Sequence, residues 1–347
     1  MTAVSRVTEY LENVVPLWEV FKGLIPKEPR NLVQPYRWNG NEIIARLRPL
    51  GHEIQVGENV ERRVLVPVNP GLKAIGLYAT THTIYVGFQI VMPGEVAGAH
   101  RHSPFAARFM IEGRASTVVD GTKVDFEAGD YVITPRWAWH DHTNEGFDPA
   151  IWLDVLDIPI PRMLYATFFE DYPEERQPVT VASSTVARGA SLSVRPKITL
   201  SHGLRGETPA FIFKGQEVIQ LLRDMARQSA GDPFDGTALT YVNPHTGGDI
   251  SRTLGTYISL LKPGTQTRAH RHSMSVVNYV VRGRGMAIID GTRFHWDQND
   301  VLVVPPWTWH EYAGEDETIL LSITDGPMLQ NLGLYREEVH PAGSQGT

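Results

Sequence analysis

The 347-residue chain contains no cysteine, and that absence removes disulfide frameworks, thiolate-held metals and cysteine nucleophiles together. Any bound metal must therefore sit on nitrogen and oxygen donors. No apolar run approaches the roughly 18 residues that a membrane-crossing helix needs. The stretch MTAVSRVTEYLENVVPLWEV carries acidic residues among its apolar ones rather than a signal-peptide core. A cytoplasmic protein with no membrane partner is expected. Basic runs are also missing, and 32 Lys and Arg against 39 Asp and Glu leave a net charge of −7. The electrostatic footprint of a nucleic-acid-binding surface is therefore absent.

What the chain does have is a repeat. At this length, with 42% hydrophobic residues, two compact units with a core each are expected. PGEVAGAHRHS, from Pro93, recurs as PGTQTRAHRHS from Pro263, an offset of 170 (263 − 93). The same offset relates His100 to His270, His102 to His272, Gly113 to Gly283, Asp130 to Asp300 and His140 to His310 without insertion or deletion. A period so far above that of a solenoid unit marks two copies of a whole domain.

Within each copy the pattern is β. Short apolar runs such as TIYVGFQIVM, ARFMIEG and YVITP, and TYISLLKPG, VVNYVVRG and DVLVVPP in the second copy, are bounded by PG, EG, DG and GD turns. An all-β sandwich or barrel pair is expected, with a few peripheral helices at Val4–Leu24 and Gly215–Gln228. The expected division is residues 1–175, a helical extension plus the first β domain, and 176–347, a linker plus the second. Arg176–Arg205 reads as an extended connection, and the closing PAGSQGT as a disordered tail.

The chemistry concentrates at His-x-His followed by Pro-x-Trp-x-x-His. Residues two apart on a strand project to one face, so His100 and His102 point together into the barrel. His140, from a distant strand, completes a triangular face of imidazoles and leaves the opposite face open. Such a site suits iron, manganese, copper, nickel or zinc. Burying three imidazoles without partners would be costly, and all three recur in register as His270, His272 and His310, a possible second metal site. His142 competes with His140, but position 142 becomes Tyr312 in the repeat, whereas His140 persists as His310.

PGEVAGAHRHSPFAARFMIEG, GDYVITPRWAWHDHTNEG with the following WLDVLDIP, and VVPPWTWHEY together resemble the cupin superfamily of jelly-roll β-barrels. More narrowly, they resemble the two-cupin gentisate 1,2-dioxygenase family, which includes salicylate and 1-hydroxy-2-naphthoate ring-cleaving enzymes. Common cupins carry a glutamate ligand where this chain has Ala106, and its loss is typical of that family. The resemblance implies Fe(II) on three histidines, an aromatic hydroxy acid and O2 as substrates, cleavage between the carboxyl- and hydroxyl-bearing carbons, and a homotetramer.

Both copies keep three histidines, so their surroundings decide which one is catalytic. The 170 offset turns Gln89 into Ser259, Arg108 into Asn278, His142 into Tyr312 and Asp154 into Thr324. Only the first copy keeps donors for a carboxylate. Arg108 is expected to bind it, with Arg63 assisting on the resemblance alone. His142 and Asp154 are expected to accept and orient the phenolic proton. Tyr85, Gly87 and Gln89 share one strand face and would line the pocket. Competing readings are a 1-hydroxy-2-naphthoate enzyme, another cupin dioxygenase, an isomerase, which would normally keep the glutamate, and a non-catalytic two-cupin binding protein, which would normally lose its histidines.

Overall fold

The computed structural model describes residues 13–57, 60–181 and 210–346. The described residues up to Leu32 belong to a unit of their own, in which Leu17–Leu24 is helical. The earlier part of the expected Val4–Leu24 helix, up to residue 12, lies outside the described residues, as does most of Arg176–Arg205. No described helix is long and apolar enough to cross a membrane.

From Val33 onward the chain builds two barrels, each of two facing antiparallel sheets. The first pairs a six-stranded sheet, ordered Phe211–Phe213, Tyr131–Thr134, Ala106–Glu112, Ala150–Leu156, Tyr85–Val91 and Arg63–Leu65, with a five-stranded one. The latter runs Phe169–Asp171, Val96–His102, His140–Thr143, Arg114–Val119 and Thr122–Glu127. The second barrel repeats the plan. Its larger sheet runs Tyr36–Trp38, Val301–Val304, Val276–Arg282, Thr318–Thr324, Gly255–Leu261 and Thr237–Thr240, and its smaller one includes His310–Gly314, His270–His272 and Glu337–Val339.

The two larger sheets pack back to back. Val86, Phe88 and Ile90 share a core with Ile258, Val277 and Tyr279 of the other barrel, while Val91, Met110 and Trp152 fill the first barrel's interior. Central strands are thus buried on both faces, and so their sequences read as nearly continuous apolar runs. At about 25 cal/mol per Å² of apolar surface removed from water, a shared core of this kind is a principal term holding the barrels together.

The halves are interlaced. Tyr36–Trp38 adds an edge strand to the second barrel by pairing with Val301–Val303, and Phe211–Phe213 does the same for the first by pairing with Tyr131–Ile133. A helix follows each added strand, Gly40–Glu53 and Gly215–Gln228. Both are anchored by a buried aspartate of the barrel they join. Asp300 Oδ1 accepts from Gly40 N at 3.1 Å and Asp130 Oδ1 from Gly215 N at 2.9 Å, each carboxylate facing a helix N-terminus. A Cβ on Gly40 would strike the Asn299 carbonyl, and one on Gly215 the Gly129 carbonyl, so only glycine permits these approaches. The barrels are also cross-braced, by Thr253 Oγ1 to Asp157 Oδ2 at 2.5 Å and Thr83 Oγ1 to Asp325 Oδ2 at 2.6 Å.

Sheet register corrects one correspondence. Arg108, Asp154 and Gly87 stand side by side across three strands, and the matching row in the second barrel is Asn278, Ser322 and Tyr257. The counterpart of Asp154 is therefore Ser322, not the Thr324 expected from a constant offset. Ala150 opposes Val91 whereas Thr318 opposes Leu261, so two residues are lost in the preceding turn. The expected disorder of PAGSQGT is also corrected for its described part. Gln345 donates to Ile288 O at 2.8 Å and accepts from Gly291 N at 2.9 Å, because one amide satisfies both backbone groups of that turn.

Candidate metal centre

The ligating atoms of His100, His102 and His140 lie within 4.8 Å of one another, as do those of His270, His272 and His310. Strand pairing sets this spacing: His100 stands opposite His140, and His270 opposite His310. Backbone carbonyls orient two rings of each triad. His102 Nδ1 lies 2.9 Å from Pro104 O and His140 Nδ1 2.9 Å from Ala138 O, while His272 and His310 face Met274 O and Thr308 O at 3.0 and 2.9 Å. A proton on Nδ1 donated to the carbonyl leaves the Nε2 lone pair for a metal.

Burial, with neighbouring cations, keeps these rings neutral. His100 is lowered to about 2 by burial and then by Arg62, and His102 to about 4 by burial and then by Arg108. A neutral ring is the form that ligates. His140 Nε2, buried without a hydrogen-bond partner, is the kind of orphan atom that a metal satisfies. The donor set fits a divalent transition metal.

An arginine clamp fixes the frame of each triad. The Arg101 guanidinium lies 4.6 Å and 4.4 Å from the ring centres of Trp137 and Trp139 and pairs with Glu170. Arg271 repeats this with Trp307, Trp309 and Glu338. Trp137 and Trp307 adopt positive φ of 58° and 56°, a conformation that costs energy and turns the loop toward the third histidine.

Around the first triad the expected residues are placed as follows. Arg108 is buried, donates from Nη1 to Thr134 Oγ1 at 2.8 Å, and has Nε 3.3 Å from Asp154 Oδ1. Asp154 also accepts from Trp152 Nε1 at 3.0 Å, so it partners Arg108 rather than His142. Its pKa is raised by burial, against the lowering effect of Arg108. His142 packs against Trp152 at 5.5 Å and neither of its ring nitrogens has a partner. Its pKa is strongly lowered by burial, then by Arg108 and Arg62. Gln89 is buried with Nε2 unpartnered. The strand passes Gly87 without a register shift, and a Cβ there would lie 2.5 Å from a Val64 methyl and 3.3 Å from the Tyr85 ring. Glycine thus admits those two side chains. Phe105 packs in the core between the barrels.

Arg63 is a correction. It donates from Nη1 to Gly51 O at 2.5 Å and Ile54 O at 2.8 Å and pairs with Glu95, on the outward face of its strand. The arginine at the site is its neighbour. Arg62 Nη2 lies 3.0 Å from His100 Nδ1 and 2.8 Å from Gly98 O, and its pKa falls to about 10 through burial and then the charge of Arg108. Parity held the clue: Val64 opposes Gln89, so position 62 shares the inward face and 63 does not.

Comparison with known proteins agrees with this geometry. The Cupin domain family matches residues 87–156 and 257–324. The chain is 35% identical to a 5-aminosalicylate 1,2-dioxygenase of Comamonas sp. over 95% of its length and 88% of the relative's. It is 38% identical to a 1-hydroxy-2-naphthoate 1,2-dioxygenase of Nocardioides sp. (strain KP7), over 89% of this chain and 80% of the other. The crystal structure of salicylate 1,2-dioxygenase from Pseudoaminobacter salicylatoxidans, as an adduct with gentisate, superposes with a TM-score of 0.84 at 30% identity, covering 98% of this chain and 93% of that one. With two cupin barrels and histidine triads placed as metal sites, the chain belongs to the gentisate and salicylate family of ring-cleaving 1,2-dioxygenases.

Proposed function

We propose that the first barrel binds Fe(II) on His100, His102 and His140 and cleaves gentisate or a related 5-substituted salicylate between its carboxyl- and hydroxyl-bearing carbons. Iron bound there would supply the redox centre and the open positions at which the chelating aromatic acid and O2 meet.

The observation that carries this reading is charge. Two buried guanidiniums, Arg62 and Arg108, flank the triad; Asp154 acts on both, while Glu61 and Asp141 act on Arg62. Paired cations beside the three imidazoles suit a ligand bearing a carboxylate and a phenolate. Arg108, already held by Thr134 and Asp154, presents a fixed fork to the carboxylate. A neutral His100 that ligates through Nε2 carries its proton on Nδ1 and cannot accept from Arg62. Arg62, still held by the Gly98 and Glu61 carbonyls, then has N–H capacity left for the substrate.

His142, buried, neutral and without a hydrogen-bond partner, takes the proton of the ortho hydroxyl. Asp154 acts through Arg108, holding its plane. Tyr85 and Gln89 line the wall beside Gly87, and the unpartnered Gln89 amide offers a donor to an oxygen substituent on the ring, which favours gentisate over unsubstituted salicylate.

The test is anaerobic Fe(II) loading, followed by oxygen uptake and ultraviolet spectra with gentisate, salicylate, 5-aminosalicylate, 5-nitrosalicylate and 1-hydroxy-2-naphthoate. Uptake with gentisate or a 5-substituted salicylate supports the reading. Silence across the panel favours a non-catalytic binding protein, and preference for the naphthoate moves the substrate to the two-ring class. A cytoplasmic homotetramer completes the proposal, and light scattering of the purified chain checks its assembly.

A further inference from the structure

The second triad differs from the first in what its neighbouring strand lays across it. In the first barrel Phe169–Asp171 runs beside the His-x-His strand, with Phe169 opposite His102, and the Phe169 ring covers His100 at 5.0 Å. In the second barrel Glu337–Val339 runs in the same place, with Glu337 opposite His272. Directly opposed residues of an antiparallel pair project to the same face, about 5 Å apart at Cβ. Glu337 therefore leaves its strand where Phe169 does in the first barrel. Its exposed carboxylate is turned to Tyr335 and lies outside the 4.8 Å grouping of the three histidines, which it reaches by rotating about its side-chain bonds. Phe234, from the turn before the edge strand Thr237–Thr240, takes over the covering role and lies 4.6 Å from the His270 ring.

The charges follow the same inversion. Those acting on His100 are the cations Arg62 and Arg108, whereas burial of His270 is opposed first by Glu337 and also by Asp232. The row of side chains beside the triad is also different. Tyr257 replaces Gly87 in the row facing the triad and reaches Asp235 at 3.3 Å, while Ser322, Asn278 and Tyr312 bond one another at 2.7 and 3.1 Å.

We propose that His270, His272, His310 and Glu337 form a second divalent-cation site, three imidazoles closed by one carboxylate, that holds metal but admits no aromatic acid. The inference rests on reading the triads as metal sites. Glu337 now accepts from the Tyr335 hydroxyl at 2.9 Å and moves from that bond to the cation. A fourth protein donor on the open face removes one of the positions that a chelating substrate and O2 both need. The four ligands come from three strands, so the cation also ties the C-terminal strand to the barrel.

The test is anaerobic Co(II) titration of the chelator-stripped, full-length protein, read by the visible d–d bands, whose intensity reports coordination number. The wild type should take two Co(II) per chain. His102→Ala should lose one class and His272→Ala the other. The isosteric Glu337→Gln should weaken only the class lost in His272→Ala, by about 10- to 100-fold, with a changed band intensity at saturation and an unchanged circular dichroism spectrum. One Co(II) per wild-type chain, or a Glu337→Gln protein whose second equivalent binds as tightly with the same bands, overturns the proposal. Because the count uses no substrate, it stands or falls separately from oxygen uptake at the first barrel.

Discussion

Where the first barrel sets Arg108, Asp154 and Gly87 in a row across three strands, the second sets Asn278, Ser322 and Tyr257. The backbone is the same, and both rows face a histidine triad. A charged fork beside a glycine has become a neutral hydrogen-bonded network beside a tyrosine. On the proposed function, three imidazoles define where a metal goes, while the surrounding row decides whether an organic acid can join it.

The largest break in this comparison comes from the ligands. His102→Ala should abolish ring cleavage measured by oxygen uptake, whereas His272→Ala should leave kcat within a few-fold of wild type. Equal losses in both would mean that the barrels work as one catalytic unit. Next comes the fork. Arg108→Lys keeps the charge but loses the plane, and loss of a charge-assisted pair of about 1.5–3 kcal/mol should raise KM for gentisate about 10- to 100-fold. A KM unchanged by the lysine would remove Arg108 from carboxylate binding.

A smaller effect sharpens the contrast at Gly87. Its alanine variant drives a methyl into Val64, an overpacking of about 1–3 kcal/mol, so the melting temperature and kcat/KM should both drop. Combining it with Val64→Ala should restore the melting temperature, and failure to do so would place the strain elsewhere.

The smallest expected effect is on acid stability of the metal-free protein. His102 and His272 have pKa values lowered from 6.5 to about 4 and about 3, so the unfolded chain binds more protons in that window. Their stabilising contribution is present above pH 6.5 and is lost as pH falls toward 4 and then 3. Urea midpoints should fall more steeply with acid in the wild type than in His102→Asn/His272→Asn, and parallel curves would contradict this.

Both triads were legible in the sequence because two short-range rules, side-chain alternation along a strand and an uninterrupted repeat, place all six histidines. What lay beyond them depended on partners far away in the chain. Arg62 and Arg63 are adjacent and chemically identical, and only the pairing of Val64 with Gln89 decides which one faces inward. Ser322 was hidden because a constant offset cannot register a shortened turn. Glu337 was missed because three-residue strands carry no periodicity, so its alignment with Phe169 appears only through their shared pairing with the His-x-His strands. The helix Gly215–Gln228, by contrast, matches its expected bounds, since its apolar spacing is self-contained.

The crossed strand–helix arms carry a consequence for assembly. Each barrel completes its larger sheet with chain that precedes the other barrel in sequence, so a ribosome releases Tyr36–Trp38 long before its partner Val301–Val303 exists. The first barrel's edge likewise stays open until Phe211–Phe213 emerges. Severed between the barrels, each fragment would lack a strand and carry a spare one. The pieces should therefore be soluble only when made together, and should then reassociate as a reciprocal exchange between two chains.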